Sequence, residues 1–100
     1  MVGGTYRVYV VFDLSRAPYA EPGKGLQYFA RFLPDSAHVQ SAQAPPTDGG
    51  GLYTIDVSLP APSAAQALRD VARAIELTTS EVAPEILGEV QRATIERQPE

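Results

Sequence analysis

Cysteine is absent from this 100-residue chain, and with it go disulfides, thiolate metal ligands and thiol nucleophiles. Tryptophan and asparagine are missing too, and histidine and lysine occur once each. With His38 the sole imidazole, no nitrogen-rich metal cluster can form, so no metal and no cofactor is expected; only an oxygen-ligated Mg or Ca site stays open. No apolar run approaches the roughly 18 to 20 residues that cross a bilayer, so an integral membrane protein is not expected. The N-terminal MVGGTYR has no basic stretch leading into an apolar segment of about 7 to 15 residues, which makes the cytoplasm the expected compartment.

Basic charge is also scarce. Formal net charge is −4, and the excess lies in the second half: residues 1 to 50 carry four basic and four acidic groups, residues 51 to 100 four basic and eight acidic ones. Counterion release on nucleic acid needs clustered Lys and Arg, so no nucleic-acid partner is expected. Seven arginines beside one lysine reflect GC-rich coding, a property of the genome and not of the function.

What is present is periodicity. In TYRVYVVFDL, residues Tyr6, Val8, Val10, Phe12 and Leu14 alternate as in a strand, and the interleaved Arg7, Tyr9, Val11 and Asp13 are half apolar, which predicts a central strand. A Pro- and Gly-containing loop follows. Leu26, Phe29, Ala30 and Leu33 then recur at helical spacing, predicting a helix over Gly25–Leu33 stopped by Pro34. Ser36–Ala44 alternates weakly as a short strand, and the glycine tract after Asp48 suits a hairpin connection or a mobile tip. LYTIDVSL alternates Tyr53, Ile55, Val57, Leu59 against Leu52, Thr54, Asp56, Ser58. Ser63 and Gln66 make a capping-box pattern before a helix over Ala64–Leu77, with Leu68, Val71, Ala72 and Ile75 on its inner face. The tail fits either a helix through Val82, Ile86, Val90 and Ala93 or a strand over Val90–Arg97; Thr94 and Ile95 before Pro99 favour the strand.

This order predicts one α+β domain with the ferredoxin-like β-α-β-β-α-β arrangement, two helices covering one face of a four-stranded antiparallel sheet. The fold hosts many activities, so function has to come from a site. One face of such a sheet is left open, and Tyr9 and Val11 are expected on it.

The first strand, VYVVFDL, resembles the aromatic-bearing strand of RNA-recognition modules, in which the aromatic stacks on an unpaired base. Phe12 stands where that strand is polar, and GGGLYTIDV lacks the basic, doubly aromatic partner pattern, so Tyr9 reads as a sheet-face residue. Gly23, Lys24 and Gly25 precede the first helix, where amides and an ammonium can meet an anion. A Walker loop is excluded, because Gly25 replaces the Ser or Thr that must follow the lysine.

For catalysis the candidates reduce to His38 as a general base and Asp13 as its orienting carboxylate. Ser15, Ser36 and Ser80 sit in no nucleophile elbow. For binding, the candidates are Tyr9, Val11, Tyr28 and Phe32, since aromatics bury much area with few rotors to freeze. The expected function is a non-enzymatic interaction or assembly module, a homodimer through its open sheet face with a possible protein partner. The alternative is a small-molecule enzyme or binding protein of the dimeric α+β barrel kind with a cleft near His38.

Overall fold

Tyr6, Val8, Val10 and Phe12 alternate into one apolar side, and in the computed structural model this segment is strand β1 (Gly4–Asp13). The structure describes residues 3–16, 20–42, 51–84 and 86–98. The further elements are helix α1 (Pro22–Phe32), β2 (His38–Ala42), β3 (Leu52–Ala61), helix α2 (Ala64–Glu81) and β4 (Glu89–Arg97). They form an α+β structure with a four-stranded antiparallel sheet in the order β2-β3-β1-β4. β1 pairs with β3 without a break from Gly4↔Ala61 to Asp13↔Leu52, and with β4 on its other side, so it is central as its two-sided sequence predicts.

Tyr6, Val8, Val10 and Phe12 of β1 and Tyr53, Ile55, Val57 and Leu59 of β3 are buried in one cluster with Phe29, Leu33, Val71, Ile86 and Leu87. Each fully buried large side chain there contributes roughly 1.5–3 kcal/mol through its removal from water. The Phe12 and Tyr53 rings stack with centroids 5.1 Å apart, and the Tyr53 hydroxyl donates to the Leu87 carbonyl, tying the sheet to the segment before β4. Burial pushes the Tyr53 phenol well above its ordinary range, so it stays a donor.

Both helices differ from their expected limits and faces. α1 starts three residues early because Pro22 occupies its first turn, where a missing N–H costs nothing. Its inner side is Gly25, Phe29 and Leu33 with Phe32 half-buried, while Ala30 is exposed. A Cβ on Gly25 would lie 2.8 Å from Leu87 Cδ2, so this glycine serves the close approach of α1 to the 86–87 segment rather than an anion. In α2 the buried residues are Ala67, Val71, Ala74 and Thr78, whereas Leu68 is 38% exposed and Ala72 is exposed. The buried Thr78 hydroxyl donates to the Ala74 carbonyl at 2.7 Å, which removes the penalty of an unpaired polar atom. The amide of Gln66 donates to Ser63 Oγ at 3.1 Å as the cap requires, but the Gln66 side chain donates onward to Asp70 and leaves the box half closed.

The C-terminal segment is a strand. Gly88 precedes it at φ +91, a conformation L side chains rarely adopt, and a Cβ there would lie 2.8 Å from the Asp13 carbonyl. The hairpin reading of residues 44–50 lies outside the described residues. No helix among the described residues is long and apolar enough to cross a membrane.

Candidate functional site

The sheet side away from the helices is built by the other half of the alternation. On β1 it carries Arg7, Tyr9, Val11 and Asp13, all half-buried. Register brings Ser58, Asp56 and Thr54 of β3 beside Arg7, Tyr9 and Val11, and Glu96, Thr94 and Arg92 of β4 on the opposite flank. Tyr9 and Val11 therefore sit at the centre of the helix-free face, where the alternation places them.

This face is more polar and more tightly hydrogen-bonded than its half-apolar β1 row suggests. Arg7 donates to Asp56 through two nitrogens, Nε at 3.1 Å and a terminal nitrogen to the second carboxylate oxygen. Asp56 is only 4% exposed, so its carboxylate depends on this fork, and the same bonds raise the Arg7 pKa further above its ordinary value. The Arg7 guanidinium carbon lies 5.3 Å from the centroid of the Tyr9 ring. The Tyr9 hydroxyl donates to Glu96 Oε1 at 3.0 Å, and acceptance by that carboxylate raises the phenol pKa. The aromatic at the centre is thus fixed from two sides.

Asp13 has a different job from the one its position suggests. Its carboxylate accepts from the Ser15 hydroxyl at 2.6 Å, the Ser15 amide at 2.8 Å and the Gln91 side chain at 2.9 Å, which closes a turn after β1 and pins β4. The Ser15 bonds foremost lower its pKa below the ordinary aspartate range.

His38 is exposed and its ring nitrogen contacts the Gln40 amide at 2.6 Å. It pairs with Ser58, which pairs with Arg7, so it stands level with the opposite end of β1 from Asp13. Six strand positions, about 20 Å at 3.3 Å per residue, separate the two levels. The structure does not bring His38 and Asp13 together. Tyr28 and Phe32 lie on α1, on the helix side of the sheet: Phe32 packs against the core, and Arg31 stacks over the Tyr28 ring at 5.3 Å. The four binding candidates therefore divide between two surfaces. Among the described residues no group of three or more His, Asp or Glu side chains could hold a metal ion.

Sequence reasoning missed a second feature on the helix side. Between α2 and β4 runs an apolar groove of about 260 Å³, floored by Val10 and walled by Leu68, Ile75, Val90 and Ala93. Val90 is 50% exposed although it faces the helix layer. The signal was available: Leu68 and Ile75 are additional apolar residues on α2, and the QRATIER strand offers little to cover them.

No protein-family model matches the chain, and no curated protein matches it either.

Proposed function

We propose that this chain is a single-domain, non-enzymatic assembly module of the ferredoxin-like β-α-β-β-α-β type that dimerises through its helix-free sheet face and serves protein partners in the cytoplasm. The order β2-β3-β1-β4, with one helix after β1 and one after β3, supports the ferredoxin-like assignment.

The observation that carries the reading is the β1 row Arg7, Tyr9, Val11, Asp13, which runs base, aromatic, aliphatic, acid and is complementary to its own reverse. A second copy laid face to face with β1 reversed sets Arg7 toward Asp13 and Tyr9 toward Val11, with sheets about 10 Å apart. Tyr9 is already held by Glu96 and Arg7, so its immobilisation adds little entropic cost on binding. In the same arrangement Glu89 approaches Glu96 at the rim, where solvent and salt screen the repulsion, and the central row has to supply the affinity. The alternative of a small-molecule enzyme draws no support from the geometry, because its His38 and Asp13 stand at opposite ends of the sheet.

Val11→Arg introduces a like charge at the centre of the face without touching the core. It is expected to halve the solution mass measured by light scattering, with an unchanged far-ultraviolet circular dichroism spectrum. A folded V11R chain of unchanged mass would overturn the reading.

A further inference from the structure

The sheet ends abruptly at β4. Among the described residues nothing pairs with its outer edge, so a row of backbone N–H and C=O groups faces outward beside the apolar groove under α2. Natural edges of this kind are commonly blunted by charge or by a bulge. Here the register shift between Val11 and Phe12 marks a bulge that leaves Gln91 unmatched, and the run from Arg92 to Arg97 beyond it pairs regularly with β1. Its charges do not protect it against its own copy.

We infer that β4 pairs antiparallel with β4 of a second copy across a two-fold axis at Thr94, joining two sheets into one of eight strands and closing the groove. The charge pattern selects both the partner and the register. On the helix-free side of β4 stand Arg92, Thr94 and Glu96, and on the helix side Ala93, Ile95 and Arg97. With the axis at Thr94, Arg92 lies opposite Glu96 twice and Ala93 lies opposite Ile95 twice, so opposite charges meet on one side and apolar groups on the other.

The other registers that keep the faces aligned are poorer. An axis at Arg92 sets two guanidinium groups against each other, an axis at Ala93 sets Arg92 against Thr94, and an axis at Ile95 sets Arg97 against Ala93. A slip that exchanges faces would turn apolar residues toward water. With the Thr94 register, the partner's Ile95 comes beside Ala93 at the lip of the groove, next to the exposed Val90 and Leu68. The occupant is a second copy because the edge is complementary to itself. This edge is distinct from the helix-free face, so each can associate without the other.

The test uses full-length chain carrying Val11→Arg, so that only the edge can associate, with sedimentation velocity as the readout. This chain is expected to dimerise at high concentration. Arg92→Glu alone and Glu96→Arg alone are each expected to weaken that dimer about ten-fold or more, because both turn two attractive pairs into like-charge pairs. Mixed in equal amounts, the two variants restore pairing, since each then meets its complement twice. Leu68→Glu on α2, on the other side of the sheet, is expected to weaken the dimer independently. A strict monomer in the V11R background, or single variants whose mixture pairs no better than either alone, overturns the inference and leaves the helix-free face reading untouched.

Discussion

β1 and β4 are hydrogen-bonded neighbours of nearly equal length, yet on the helix side β1 buries Tyr6, Val8, Val10 and Phe12 while β4 leaves Val90 half exposed and Ala93 exposed. Strand alternation is the same in both; the roof is not. α2 seats its small buried residues, Ala67 and Ala74, tightly on the core, but toward β4 it leaves an apolar groove between Leu68 and Ile75 on one side and Val90 and Ala93 on the other. The difference teaches that burial in a two-layer sheet is decided by how closely a helix seats on each strand, and that the loosely covered strip is where a second molecule gains most by docking.

Substitutions that delete the same kind of group from the two strands sharpen this contrast. Phe12→Ala should cost about 3–5 kcal/mol by chemical denaturation, through lost transfer energy and a residual cavity. Val90→Ala, in monomer conditions, should stay within about 0.5 kcal/mol of the parent. Equal losses at both positions would break the comparison.

Next in size is Gly88, where the chain entering β4 passes the end of β1. Gly88→Ala forces a side chain into φ +91 against the Asp13 carbonyl and should cost about 1–2 kcal/mol or more, measured the same way. A neutral outcome would show that β4 can re-enter the sheet by another turn.

The smallest effect concerns Asp13, whose Ser15 and Gln91 bonds hold β1 and β4 together at one end. Its folded pKa lies below the unfolded value, so its contribution is complete above about pH 5 and is lost as pH falls through the folded value. Asp13→Asn should therefore lower the melting temperature slightly at pH 7 and leave it nearly unchanged near pH 2. A loss of equal size at both pH values would assign Asp13 a role that does not involve its charge.

Much of this fold is legible without coordinates. The two long strands announce themselves because one face of each is continuously apolar, and α2 begins where Ser63 can cap it. The helix faces are not, because hydrophobicity favours Leu68 and Ala72 as inner residues, whereas close approach of helix to sheet favours the small Ala67 and Ala74. The helix-free face is half legible: alternation places Tyr9 and Val11 there, but the Arg7–Asp56 pair joins residues 49 apart and exists only through strand register. Asp13 and Ser15 carry the spacing of a side-chain turn, and that local chemistry outweighs any partnership with His38.

Self-association is the claim from which the functional account descends, and sedimentation velocity of the wild-type chain from about 1 μM to several hundred μM tests it most directly. The account predicts a mass that climbs with concentration from that of one 10.7 kDa chain toward an even multiple of it. A mass that stays at 10.7 kDa throughout would contradict it.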